Sequence, residues 1–113
     1  MHEMALAQGI LDIALRTAAE NGAVRVGRIK VLVGQMTQVE PEALKFGFEA
    51  LAAETIAAGA ELDLTAVPLV GRCDDCGQEF TIRGCLFLCP RCQSGEVKIV
   101  SGRELRVEYV EVE

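Results

Sequence analysis

The sequence predicts an α+β fold: two helices packed on a three-stranded sheet, with a small cysteine-bearing domain inserted before the last strand. Three observations carry this. Two stretches place apolar residues at helical spacing, and three alternate apolar and polar residues as half-buried strands do. Between the second and third of those strands, a run shorter than the roughly 40 residues a self-sufficient domain needs holds all of the chain's cysteines.

The first helix runs from His2 to Glu20. Gln8, Asp12, Arg16 and Glu20 recur every four residues as a polar stripe. Met4, Leu6, Ala7, Ile10, Leu11, Ile13, Ala14, Leu15 and Ala18 fill the remaining surface. Asp12 and Arg16 are placed for an i,i+4 ion pair, and Asn21-Gly22 ends the helix, glycine being suited to the left-handed closing position. Val24 to Val33 follows as a strand, with Ile29, Val31 and Val33 on one face, Arg28 and Lys30 on the other, and Gly27 at a phase slip that suggests a bulge. Gly34 to Glu40 is a loop. Pro41 suits the first position of a second helix, which the spacing of Leu44, Phe48 and Leu51 carries to about Ala58, with Phe46 and the alanines flanking and Gly59 closing it.

Glu61 to Pro68 alternates strictly, so Leu62, Leu64 and Ala66 are expected to face the helices. Glu104 to Glu113 is the last strand, with Leu105, Val107 and Tyr109 inward before a late change of phase. The expected organisation is an α/β domain discontinuous in sequence, residues 1–69 and 99–113, interrupted by a domain at 70–98 that has its own metal. The connections near Pro68–Arg72 and Val97–Gly102 are where the insert would pivot.

The insert reads Cys73-Asp-Asp-Cys76-Gly77, an excursion, then Cys89-Pro90-Arg91-Cys92. Two facing Cys-x-x-Cys hairpins supply four thiolates for a tetrahedral ion with metal–sulfur bonds of about 2.3 Å. Thiolates favour zinc or iron over magnesium or calcium, and the flanking Gly and Pro make this a zinc ribbon. A rubredoxin-type iron would use the same four ligands. Phe80, Ile82, Leu86, Phe87 and Leu88 are too few to offset a backbone ordering cost of about 1–2 kcal/mol per residue. A structural zinc contributes on the order of 10–16 kcal/mol, so the metal is expected to fold the segment. Disulfides would call for a secreted chain, and Met1-His-Glu-Met opens on a helical pattern and not on a signal peptide. Neither pair precedes the helix that a thioredoxin-type pair would need. Cys85 reads as a small hydrophobe beside Leu86 and Phe87.

With 113 residues, half of them hydrophobic and a quarter charged, the chain has the composition of one globular domain with a small appendage. No apolar run approaches the roughly 18 residues that span a membrane. A net charge of −6 makes it a poor non-specific binder of nucleic acid, and a reduced, cytoplasmic protein without nucleic-acid or membrane partners is expected. It offers no catalytic set: there is no second histidine, and the cysteines are committed to the ribbon.

The chain's one histidine stands second. The amine of Met1, the backbone nitrogen of His2 and the Nδ1 of the same His2 can close fused five- and six-membered rings on one ion. Deprotonating a peptide nitrogen needs a square-planar metal, Ni(II) or Cu(II) and not Zn(II). The backbone nitrogen or carboxylate of Glu3, or a carboxylate from elsewhere, would fill the fourth position. Glu3 also has a plain reading, as an acid in the first helical turn.

Met1-His2-Glu3-Met4, the helix–strand–helix–strand body, and Cys73-x-x-Cys76 with Cys89-x-x-Cys92 ahead of a last strand together resemble the HypA/HybF family of hydrogenase nickel-incorporation proteins, over essentially the whole chain. The resemblance implies a nickel metallochaperone with Ni(II) as transient cargo and Zn(II) as a structural ion. It implies nickel on Met1, His2 and Glu3, and zinc on Cys73, Cys76, Cys89 and Cys92. Glu40 falls where an acid approaches the nickel in some relatives, with a glutamate in place of an expected aspartate. Its plainer reading is a helix-start acid. Implied partners are a HypB-type GTPase, the NiFe-hydrogenase large-subunit precursor and, in some bacteria, the urease system. Because His2 is bulky, the initiator methionine is expected to be retained. Two other readings stay open on the cysteines: a zinc-ribbon module for protein or nucleic acid, although Arg72, Arg83, Arg91 and Lys98 are balanced by Asp74, Asp75, Glu79 and Glu96, and a rubredoxin-like electron carrier.

Overall fold

Helix α1 (Glu3–Glu20) starts after His2 and closes through Asn21 and Gly22, whose φ of +62° is the left-handed turn the sequence called for. The structure, a computed structural model, describes residues 2–84 and 86–113; Met1 and Cys85 lie outside them, and the readings placed on those two residues with them. Ala7, Ile10, Leu11, Ala14 and Ala18 are the buried face of α1. The polar stripe is outward, but Asp12 does not pair with Arg16. It accepts a hydrogen bond from Gln8 at 2.8 Å instead, one turn earlier.

Strand β1 (Val26–Gly34) is central in a sheet ordered β2-β1-β6. It runs parallel to β2 (Glu61–Val67), from Arg28 opposite Glu61 to Gly34 opposite Val67, and antiparallel to β6 (Leu105–Val112). The expected bulge is present: Val26 faces Val112 and Arg28 faces Glu111, so Gly27 is the extra residue, and Val26 and Ile29 both point inward across it.

A second register shift corrects the reading of β6. Lys30 faces Tyr109 while Val31 faces Val107, leaving Glu108 as the extra residue. Because side chains alternate with a period of two, one inserted residue exchanges the faces. Val110 and Val112 therefore join the core, and Tyr109, expected inward, is 39% exposed with Lys30 6.0 Å from its ring centre.

Helix α2 (Pro41–Ala52) has Pro41 at its first turn and buries Leu44, Phe48 and Ala52. It stops short of the expected end near Ala58. The Thr55 hydroxyl donates to the Ala52 carbonyl at 2.8 Å and accepts from the Ala57 amide at 3.0 Å. Such local bonds offer the backbone an alternative to the helical ladder, so residues 53–59 form turns that Gly59 (φ +77°) closes. Phe46, on the far face of α2, is 76% exposed.

Both helices lie on one face of the sheet, around Ile29, Val31, Leu44, Phe48 and Leu62. Leu62 is buried and Leu64 half-buried, as expected, but Ala66 is exposed. The end of β2 runs past the cover of the helices, so Ala66, Leu64, Val33 and Pro41 line an open groove of about 490 Å³.

The second sheet is ordered β4-β3-β5, with β3 (Val70–Cys73) antiparallel to both β4 (Glu79–Thr81) and β5 (Val97–Ser101). The radius of gyration is 17.6 Å, against about 13 Å for a single compact body of this length, so the cysteine-bearing sheet extends the molecule rather than thickening it.

Within the segments read as pivots, residues 70–72 and 98–101 are strand residues paired with each other, and Pro68, Leu69 and Gly102 lie outside the strands. What joins the sheets is tightly held. The Leu69 amide donates to Gln35 Oε1 at 3.2 Å, the Met36 amide to the Gly102 carbonyl at 2.9 Å, and the Ser101 hydroxyl to the Pro68 carbonyl at 2.8 Å. A Cβ at Gly34 would overlap the Gly102 carbonyl, and one at Gly102 would come within 2.6 Å of Leu69 Cα. Gly102 has a φ of +112°. Gly102→Ala therefore combines a strained backbone, about 1–3 kcal/mol, with overlap of about the same size. A fall in melting temperature of many degrees is expected in a thermal scan, and a shift of a degree or less would mean that the joint yields.

Candidate metal centres

The cysteine lobe has little else to fold around. Among the described residues, the buried hydrophobic side chains of this lobe and its joint are Leu69, Ile82, Cys73 and Cys89; Leu86, counted on as core, is 62% exposed, and Leu88 is also exposed. Gly71 is required because a Cβ there would come within 2.6 Å of Val97 Cγ1 and 2.8 Å of Ile82 Cδ1.

The two Cys-x-x-Cys segments are built alike. The amide of Cys73 donates to the Gln78 carbonyl at 2.9 Å, and that of Cys89 to the Ser94 carbonyl at 3.0 Å. Four residues after each first cysteine an amide returns to it, Gly77 to the Cys73 carbonyl at 2.9 Å and Gln93 to the Cys89 carbonyl at 2.8 Å. Both closing residues are left-handed, Gly77 at φ +79° and Gln93 at φ +63°. The sequence showed the first through its glycine and concealed the second under a glutamine. The Ser94 hydroxyl donates to Asp75, and the Asp74 amide to the Glu96 carbonyl at 2.8 Å, stapling one segment to the other.

This places Cys73, Cys76, Cys89 and Cys92 with all four Sγ atoms within 4.8 Å of one another. Cys73 and Cys92 are 3.5 Å apart and Cys76 and Cys89 3.6 Å. A disulfide bond is about 2.05 Å, so these are free sulfurs. Four sulfurs at 2.3 Å from a tetrahedral ion would be about 3.8 Å apart, and the quartet fits that demand. With protons on the sulfurs, the group is electrostatically divided. Burial opposes ionisation of Cys89, yet the amides of Cys92 and Arg91 outweigh it and bring the thiol down to about 7. The Ser94 amide favours a Cys92 thiolate, but Cys73, burial and the other sulfurs push that thiol up to about 12. One thiolate forms easily and suppresses its neighbours, a repulsion that a divalent cation relieves.

The other predicted ligands lie at the start of α1. His2 is exposed, occupies the N-cap position and makes no side-chain capping bond; its carbonyl accepts the Leu6 amide at 3.1 Å. Glu3 is the first helical residue. Its Oε2 accepts the backbone amide of Glu40, the N-cap of α2, at 3.0 Å across 37 residues of sequence. That amide holds the Glu3 carboxylate below its usual range. The structure thus brings Glu3 and Glu40 together, through the Glu40 backbone and not its carboxylate. No sequence signal marks this contact, since any residue but proline has the amide.

The profile described as hydrogenase/urease nickel incorporation, metallochaperone, hypA matches residues 1–112. The chain belongs to this family. Hydrogenase maturation factor HypA of Pelodictyon phaeoclathratiforme is 42% identical over 113 residues, covering all of this chain and 97% of that one. The protein of the same name from Desulfitobacterium hafniense is 41% identical, covering all of this chain and 99% of that one. Two solved structures share the fold at 24% identity: the Ni metallochaperone HypA of Helicobacter pylori (TM-score 0.66, covering 99% of this chain and 97% of that one) and a second HypA protein (TM-score 0.74, covering 99% and 96%). HypA proteins are maturation factors by name, and the family description is that of a metallochaperone. A four-cysteine cluster able to hold a metal precedes the last strands here. No helix among the described residues is long and apolar enough to cross a membrane.

Cys76→Ser should disorder the cysteine lobe and leave the β2-β1-β6 sheet folded, because the larger core contains none of the lobe's residues. Metal bound at the four-cysteine site should fall to near zero while amide resonances of α1 and α2 stay in place. Collapse of those resonances as well would show that the two cores are one.

Proposed function

We propose that this protein binds Ni(II) through the Met1 amine, the backbone nitrogen and Nδ1 of His2 and the backbone nitrogen of Glu3, and delivers it to the NiFe-hydrogenase large-subunit precursor. On this reading it works in the cytoplasm with a HypB-type GTPase, and in some hosts supplies the urease system. Cys73, Cys76, Cys89 and Cys92 hold a structural zinc, and residues 70–98 form a domain inserted into the body of 1–69 and 99–113. The protein is a carrier, not an enzyme.

One observation carries the reading: His2 is the N-cap and Glu3 the first residue of α1. The first four amides of a helix have no acceptor within it. Replacing the protons of these two nitrogens by nickel therefore breaks no bond of the helical ladder, and negative charge there is favoured by the helix dipole. A site at the exposed His2 also lets a partner remove the ion without opening the core. Glu40, exposed at the start of α2 with its amide bonded to Glu3, adds negative charge to the approach.

His2→Ala should abolish the square-planar d–d absorption on nickel titration of the unextended protein and lower nickel affinity at least tenfold. Zinc content should stay at one, and the melting temperature should move by no more than about a degree, since an exposed side chain contributes little to stability. Residues added ahead of Met1 should have the same effect on nickel. Equal nickel binding by wild type and His2→Ala would overturn the reading.

A further inference from the structure

We propose that the Glu3 side chain is a positioning residue for the nickel terminus, fixing the first turn of α1 through the backbone of Glu40, and not a ligand of the ion; the proposal rests on the N-terminal nickel site above. The contact joins two helix starts. Glu3 Oε2 accepts the Glu40 amide at 3.0 Å, and the Glu40 carbonyl in turn accepts the Leu44 amide at 3.0 Å inside α2. Residue 40 is thus held on both sides, and Glu3 is tied to a rigid element.

The next residue repeats the attachment by packing. Met4 Sδ occupies the space a side chain at Gly47 would take, 2.6 Å from where that Cβ would stand. Glu3 and Met4 together pin the first turn of α1 to α2. Chain ends fray unless tied down, and a square-planar ion needs two consecutive peptide nitrogens and one imidazole in a common plane. Ordering that backbone in advance removes an entropic cost from binding.

The same contact argues against the carboxylate as a ligand. Glu3 Oε2 is engaged by the Glu40 amide, which has no other acceptor in the helix it begins, so a carboxylate ligand would have either to release that amide or to bridge amide and ion through its two oxygens. The function of Glu3 is exerted through the amide it holds. Glutamine keeps that acceptor and its reach without the charge, whereas alanine keeps neither.

The test combines amide hydrogen exchange with nickel titration in unextended Glu3→Ala, Glu3→Gln and His2→Ala proteins. Without nickel, exchange at the Glu40 amide should quicken about tenfold or more in Glu3→Ala and stay near wild type in Glu3→Gln. Nickel affinity should fall about tenfold in Glu3→Ala, equivalent to about 1.4 kcal/mol, with the d–d band unmoved, and return to within about threefold in Glu3→Gln. A band that shifts in either Glu3 variant, or Glu3→Gln losing as much affinity as Glu3→Ala, would make the carboxylate a ligand and overturn the proposal. So would a Glu3→Ala protein that melts lower yet binds nickel as wild type does, the mark of a merely structural contact. His2→Ala separates the levels: if it binds nickel normally, the terminal site itself fails, whereas if it alone loses nickel, only the role of Glu3 does.

Discussion

A cage of four sulfurs is the constraint on which the smaller half of this molecule depends. Among the described residues, Leu69, Ile82 and the two inner cysteines are a core too slight to order three short strands. With every Sγ within 4.8 Å of the others, thiolates would repel one another, and a bound cation would relieve that repulsion and supply the binding energy the lobe's side chains lack. The demand reaches outward along the backbone. Cys73 ends β3, β3 pairs with β5, and β5 passes through Gly102 into β6.

That passage fixes how the halves are joined. Gly34, at the end of β1, lies against Gly102, and Gly102 against Leu69, so close that neither glycine has room for a side chain. Gln35 and Met36 bond across the same junction. The short turn they begin (Gln35–Thr37) leads within a few residues to Glu40, whose amide Glu3 holds. One short stretch, residues 34–40, which the sequence offered only as a loop, therefore has the joint at one end and at the other the amide that Glu3 of the proposed cargo site holds.

Much of this was legible before any coordinates. Periodicity placed both helices and the strands of the larger sheet, Gly27 announced its bulge, and Cys-x-x-Cys spacing gave the quartet. What escaped was whatever the backbone does without a characteristic side chain. The bulge at Glu108, which turned Tyr109 outward, has no glycine to mark it, and the left-handed turn at Gln93 was hidden for the same reason. The early end of α2 rests on one threonine hydroxyl competing for a carbonyl, a contest that helical spacing does not register. Glu3 and Glu40 were singled out by resemblance as acids near a metal. Their actual contact joins a carboxylate to an amide, and no pattern of residue types contains it.

The two proposed metal sites call for opposite properties, and the chain offers opposite kinds of structure for them. A structural ion is retained when its ligands come from separate strands and turns, because losing it means losing the lobe. A cargo ion must leave, so its ligands are better taken from groups that support nothing else. The opening amides of a helix are such groups: they point outward, lack acceptors and are favoured as anions by the dipole behind them. Their weakness is mobility, since a chain end is the least ordered part of a domain. On the proposed reading, the contact from Glu3 to a second helix would supply order without adding a bond to the ion and so leave the exit path open.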